Sequence, residues 1–369
     1  MTLHRLVVAA AWTTIAATAA DLADSAAARR IEALDGRVER DERDERGRIT
    51  GVDLASKWVT DDDLALLGEL EQLRRIRLDY SWISDLGMKR LTYLLKVREI
   101  GLSYCDYLTD GAVAAIKDWK ELEVLDLEGT DVTSRSFEHI AGMTRLRVLR
   151  VGHSRVEDEG FENLAPLERL EELSIGGNKM SGRALPLLKL LPALRRLDLG
   201  GRQRTDSGMW SVALSDFNLD ALAELTDLES LDLRDLPIGD NGVARLTSLV
   251  RLRELNLSGT EVGAEGLAAL AKLPRLETLR LWRAEAVDDR AAEALAAFDG
   301  LEALDLTETS ITGAGLRRLV GLGSLKRLYI GGSDVEAAAA ARFRESRPDV
   351  FVSWREKPRD YDHLADKAR

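Results

Sequence analysis

An apolar-x-apolar pair recurs along the chain at Val52/Leu54, Ile76/Leu78, Ile100/Leu102, Leu125/Leu127, Leu149/Val151, Leu173/Ile175, Leu197/Leu199, Leu231/Leu233, Leu255/Leu257, Leu279/Leu281, Leu304/Leu306 and Leu328/Ile330. Successive pairs lie 24 or 25 residues apart, except for an interval of 34 between Leu197 and Leu231. A period held over twelve repeats excludes an ordinary globule, because each repeat must place the same side chains in the same surroundings. A length of 369 residues would otherwise suggest two or three domains. The repeat predicts one elongated domain instead, in which each repeat buries its core against its neighbours.

Within a repeat the period changes. Leu173 and Ile175, like Leu255 and Leu257, are spaced by two, which puts both side chains on one face of a short strand. The later positions, Leu185, Leu188, Leu191 and Leu194 or Leu267, Leu270, Leu273 and Leu276, are spaced by three and read as a helical stripe. Turn and cap residues lie between them, as in Thr60-Asp61, Ser84-Asp85, Thr109-Asp110-Gly111, Thr205-Asp206-Ser207-Gly208 and Asp240-Asn241-Gly242. The first hydroxyl or carboxylate suits a helix N-cap and the acid after it suits the helix dipole. Strands ~4.8 Å apart beside helices needing ~10 Å predict a solenoid that curves. The fold class is therefore α/β, a horseshoe with a parallel sheet on the concave face and helices on the convex face.

These residues resemble the leucine-rich repeat superfamily. Leu255-Asn256-Leu257-Ser258-Gly259-Thr260-Glu261-Val262 followed by Gly266-Leu267 is similar to its ribonuclease-inhibitor-like and cysteine-containing classes, as in F-box leucine-rich repeat proteins and bacterial relatives. Thr130, Ser154, Asn178, Thr260 and Thr309 stand where the cysteine-containing class has Cys, and no F-box-like module precedes residue 50. The resemblance implies a non-enzymatic scaffold that binds a protein or peptide through the concave face or turn edge. Alternatives are the substrate-recognition subunit of a ubiquitin-ligase-type complex and a structural surface protein.

Residues 1–20, with Arg5, an apolar run from Leu6 to Ala20 and Ala17-Thr18-Ala19, read as a signal peptide, so the protein is expected to be secreted, periplasmic or at the cell surface. An alanine-rich helix packed on the first repeat, in a cytoplasmic protein, is the alternative. The apolar run is shorter than the ~20 residues that span a bilayer, so no membrane span is expected. Residues 21–50 are expected to cap the solenoid with a helix and a hairpin, whose tip is Asp41 to Arg46. The repeats fill 51–353, with an insertion at 210–219, and 354–369 form a mobile tail. Met209 matches the first helical core position and Leu222 the second. The insertion is thus expected to leave from the helical side as a longer helix, an extra turn over the convex face, or a partner-binding protrusion.

Fifty-two basic against 64 acidic residues give a net charge of −12, which opposes non-specific binding to nucleic acid. One cysteine and four scattered histidines offer no disulfide framework and no metal site, and no cofactor is expected. Asp53, Arg77, Asp126, Arg150, Asp198, Asp232, Arg280 and Asp305 share the middle of the strand pair, giving a column of mixed sign without a nucleophile and base. Aromatic residues are 5% of the chain, so their clustering is informative. Trp58, Trp82 and Tyr107 form one column, and Tyr80 and Tyr104 a second, with His153 two repeats on. Rings in adjacent repeats ~5 Å apart would make one contiguous patch, either a partner site or a structural stack. Trp282, Arg283 and Tyr329 form a second candidate patch. Neither the partner's identity nor the oligomeric state is encoded in these features.

Overall fold

The structure, a computed structural model, describes residues 24–42, 47–205 and 208–355. The expected leader at 1–20, residues 43–46 of the charged tip and the tail from 356 lie outside the described residues. The chain forms two compact units, the first running to Lys179 with Leu190–Ala193, the second comprising Met180–Lys189 and the chain from Leu194.

In the first unit a helix over 24–33 buries Ala27 and Ile31. Arg30 Nε donates to Asp63 Oδ1 at 2.6 Å, and the Ile49 N–H donates to Asp24 Oδ2 at 3.0 Å, which ties the helix to the strand that follows. That strand, β2 (Ile49–Asp53), pairs antiparallel with β1 (Arg37–Arg40). Then β3 (Arg75–Arg77), β4 (Glu99–Gly101), β5 (Val124–Asp126), β6 (Val148–Arg150) and β7 (Glu172–Ser174) add in chain order, all parallel. Their register aligns Val52, Ile76, Ile100, Leu125, Leu149 and Leu173, all buried, so the shortest sequence period is also the sheet register. Full burial of each such side chain contributes about 1.5–3 kcal/mol, and only the adjacent repeats supply the covering surface.

The helical side is made of short turns. Asp61–Leu67, Asp85–Met88, Asp110–Ala115 and Ser136–Ile140 are α-helical, whereas Phe161–Leu164 is a 3-10 turn. Apolar residues spaced strictly by three match the 3-10 repeat of three residues per turn better than 3.6, which is why long helices do not form.

The second unit repeats this plan with β8 (Arg196–Asp198), a separate antiparallel hairpin of β9 (Gln203–Thr205) and β10 (Gly208–Trp210), and then β11 (Ser230–Asp232), β12 (Glu254–Asn256), β13 (Thr278–Arg280), β14 (Ala303–Asp305), β15 (Arg327–Tyr329) and β16 (Phe351–Ser353). β8 pairs with β11, and β11 to β16 add in order, all parallel. At the end, Ala340 and Phe343 are buried, and Trp354 Nε1 donates to the Val335 carbonyl at 3.0 Å.

The insertion sits elsewhere than the sequence suggested. Met209 is 60% exposed on the hairpin, while Leu219 and Leu222 are fully buried at the helical core positions. The Ala213 N–H donates to the Met180 carbonyl, the bond that Glu261 makes to Ile238 two periods on, so Leu214 fills the buried turn position that Arg204, seven residues after Leu197, would take in an unbroken repeat. The extra residues therefore leave between strand and turn as a hairpin. Arg204 could not enter the core, and the chain detours until Leu214 can.

Acids at the first helical position, which the sequence suggested serve their own helix, bind the next repeat. Asp85 accepts from the Thr109 N–H and hydroxyl, Asp110 from those of Thr133, and Asp289 from those of Thr312 at 2.9 and 2.6 Å and from the Gly315 N–H at 2.9 Å. A Cβ at Gly315 would lie 2.4 Å from Asp289 Oδ1, so glycine there admits the acid. Burial opposes the charge on Asp289, but the bonds from Thr312 and Gly315 outweigh it and hold the carboxyl below its ordinary range. Asp289→Ala is expected to cost about 2–4 kcal/mol in urea unfolding at neutral pH, having lost three hydrogen bonds. Because the folded-state pKa is depressed, the contribution is full above the unfolded value of ~3.9 and fades as pH falls through the folded value. The gap between wild type and variant should therefore narrow below about pH 4; a gap that is absent at neutral pH, or that widens with acid, would contradict this role.

Candidate aromatic edge between strand and turn

The strand-to-turn edge is set by one backbone conformation. Four residues after the first apolar position, the chain turns left-handed in all twelve repeats, with φ between 52° and 62° at Ser56, Tyr80, Tyr104, His153, Asp235, Arg283 and Glu308, and positive φ at Gly129, Gly177, Gly201, Gly259 and Gly332. That turn aims each N–H at the next repeat: Tyr80 donates to the Ser103 carbonyl, Tyr104 to Glu128 and His153 to Gly176, each within 2.7–2.8 Å. A side chain in this conformation costs roughly 1–2 kcal/mol relative to a right-handed one, which glycine avoids. Large rings at Tyr80, Tyr104 and His153 are therefore present against the backbone's preference.

The five rings form two stacks. Tyr80 and Tyr104 stack at 5.0 Å and 8°. Trp58 and Trp82 stack at 6.0 Å and 15°, and Trp82 meets Tyr107 at 5.9 Å and 39°. Among the described residues no ring contact joins the two stacks, so the columns run side by side on the edge. Their outer surfaces remain open: Trp58 is 77% exposed, Trp82, Tyr80 and Tyr107 are each 56% exposed, and Tyr104 is 39% exposed. The amino-terminal hairpin does not cover them. The Tyr104 ring lies over Gly129, where a Cβ would stand 2.5 Å from it, and the His153 ring lies over Gly177, where a Cβ would stand 2.3 Å away. A glycine in the repeat after each of these two rings makes its seat.

The neighbouring strand face is polar and internally paired. Arg77 lies 3.7 Å from Asp53 and 3.6 Å from Asp79, and Arg150 pairs with Asp126 at 3.3 Å and Glu172 at 2.5 Å. Burial lifts the Asp126 carboxyl above its ordinary range despite the Glu128 N–H and Arg150. Burial, then the nearby Glu128 carboxylate, pushes the Tyr104 phenol up to about 12, so it stays neutral and donates to Glu128 Oε1 at 3.2 Å. The mid-strand acids have a further duty that spacing alone did not disclose. Asp53, Asp126, Asp198, Asp232 and Asp305 each accept the N–H two residues on, which closes the strand into the turn.

Cys105 donates to the Leu78 carbonyl, and burial pushes its thiol up to about 12, far from a nucleophile's range. Among the described residues no group of His, Cys, Asp or Glu is placed to hold a metal ion, and no helix is long and apolar enough to cross a membrane.

The second patch is looser. The Arg283 guanidinium lies over the Trp282 ring at 5.3 Å, while Tyr329 packs edge-on against Phe351 at 6.1 Å. No ring contact among the described residues joins Trp282 to Tyr329.

A family model described as a leucine-rich repeat region matches residues 55–317. The chain belongs to the leucine-rich repeat family. Solved leucine-rich repeat structures share its fold. A chain in the yeast Rad7 and Elc1 complex is 18% identical, with a TM-score of 0.60 over 98% of this chain and 96% of that one. An internalin from Listeria monocytogenes is 18% identical, with a TM-score of 0.56 over 91% and 95%. The structure of a TLR13–ssRNA13 complex is 20% identical, with a TM-score of 0.51 over 81% of this chain and 42% of that one. No sequence match was found among curated proteins. At these identities the likeness is one of fold.

Proposed function

We propose that this leucine-rich repeat protein is a non-enzymatic scaffold that binds a protein or peptide through the aromatic strand-to-turn edge of its first unit. The observation that carries the reading is the pair of exposed stacks, Tyr80–Tyr104 and Trp58–Trp82–Tyr107, on a chain so poor in aromatic residues. Rigid amphipathic rings supply large contact area at little entropic cost and dominate many protein interfaces. The rings on the left-handed turns, Tyr80 and Tyr104, gain little stability from stacking that their backbone strain does not offset.

Capture of partners from native lysate, identification by mass spectrometry and reconstitution with the purified partner give the test. Tyr80→Ala, Trp82→Ala and Tyr104→Ala combined should weaken the reconstituted complex at least about a hundredfold, as loss of two interface hot spots would, with the unfolding midpoint little changed. Unchanged affinity, or a variant that no longer folds, would show that the rings serve the fold alone.

Export is part of the proposal, since residues 1–20 carry a charged start, an apolar run and a small-residue site. Mass spectrometry of the native protein should find an amino terminus close after Ala19. A native terminus at Met1 would exclude cleavage.

A further inference from the structure

The inner rings of the first unit present their rims to solvent. Trp82 lies between Trp58 and Tyr107, and Tyr104 between Tyr80 and Gly129, so the faces of both are covered and their exposed surface is the ring edge. An aromatic edge carries partial positive charge, whereas the face carries negative. Elsewhere in the chain indole N–H groups find acceptors: Trp119 Nε1 donates to the Thr92 carbonyl at 3.3 Å, and Trp354 Nε1 to that of Val335 at 3.0 Å. Among the described residues, the Trp58 and Trp82 indoles and the Tyr80 and Tyr107 hydroxyls have no hydrogen bond within the protein. Four polar hydrogens are thus free on one patch, and the two indoles can only donate.

The carboxylates of the same edge are largely engaged. Asp79 accepts from the Ser103 N–H and hydroxyl at 3.1 and 2.8 Å, and Asp61 from those of Ser84 at 2.7 and 2.6 Å. Glu128 holds the Tyr104 hydroxyl, and Asp131 pairs with Arg155 at 2.9 Å. Asp106, exposed beside Tyr107, has no hydrogen bond or ion pair among the described residues.

An occupant of this edge must therefore supply acceptors and bring few donors. A helix uses its carbonyls internally, and a strand brings an N–H with each carbonyl, which would be left unpaired here. A proline-rich segment meets both conditions: its polyproline II helix makes no internal hydrogen bonds, so its carbonyls are free, and proline has no N–H. Its stiffness also lowers the ordering cost of binding. The steps of 6.0 and 5.9 Å along Trp58, Trp82 and Tyr107 would be followed by about four residues of a helix that rises ~3.1 Å per residue.

We infer that the aromatic edge docks a proline-rich segment of a protein partner in the polyproline II form, with its carbonyls on the free indole and hydroxyl hydrogens and a flanking basic residue against Asp106. The inference rests on the protein-binding reading proposed above and names the chemistry of the partner.

The test is fluorescence anisotropy of the full chain with a fluorescein-labelled (Pro-Pro-Lys)4 peptide, beside (Gly-Gly-Lys)4, which carries the same charge without proline, and a labelled dT12 oligonucleotide. The proline peptide should bind at least about tenfold more tightly than the glycine peptide. Trp58→Phe, Tyr80→Phe and Trp82→Phe combined keep three rings and remove three donors. This variant should unfold at the wild-type midpoint and bind the proline peptide at least about tenfold more weakly. If its midpoint falls, the comparison of the two peptides on the wild-type chain decides. No binding of the proline peptide, equal binding of the glycine peptide, tighter binding of dT12, or unchanged affinity in the folded Phe variant would each overturn the inference. Failure of the proline peptide, together with loss of the reconstituted partner in the Tyr80, Trp82 and Tyr104 alanine variant, would overturn this inference alone and leave the edge a protein-binding surface of other chemistry.

Discussion

A stretch of about 24 residues has no interior of its own, and every other feature of this protein follows from that constraint. Val52, Ile76 and Ile100 are buried only because the strands before and after them lie in register. The parallel ladder, the left-handed turn that carries its hydrogen bonds into the next repeat, and the acid that reaches forward to the next Thr or Gly are three devices for holding one repeat against the following one. Each acts between neighbours, so stability within a unit is a sum over interfaces.

The same devices sort positions by the freedom left to their side chains. The strand pair and the turn core are fixed by burial, and the left-handed position favours glycine. What remains variable is the strand face and the edge between strand and turn, where side chains answer to solvent or to a partner. Tyr80 and Tyr104 occupy the position that disfavours side chains. Residues that depart from what the repeat prefers mark the surfaces where recognition is proposed.

Most of the fold was legible because the period-two pairs map directly onto the strands. The insertion was misread for a physical reason: Met209 happens to fall twelve residues after Leu197, as a core residue would, yet Arg204 in the turn position was the stronger signal that register had already been lost. The two aromatic columns were visible as spacing, but their separation into two stacks depends on ring orientations that spacing does not carry. Asp289 and its equivalents looked like local helix caps because their partners lie 23 and 26 residues away.

The central claim is that the rings of the first unit are kept for recognition and not for stability, and Tyr80→Gly tests it most directly. The substitution removes one stacked ring, worth about 0.5–1.5 kcal/mol, and relieves a left-handed backbone costing roughly 1–2 kcal/mol. The account predicts that the free energy of unfolding in urea changes by less than about 1 kcal/mol, since the two effects oppose. A loss of more than about 3 kcal/mol, the size expected for a buried aromatic side chain, would contradict it.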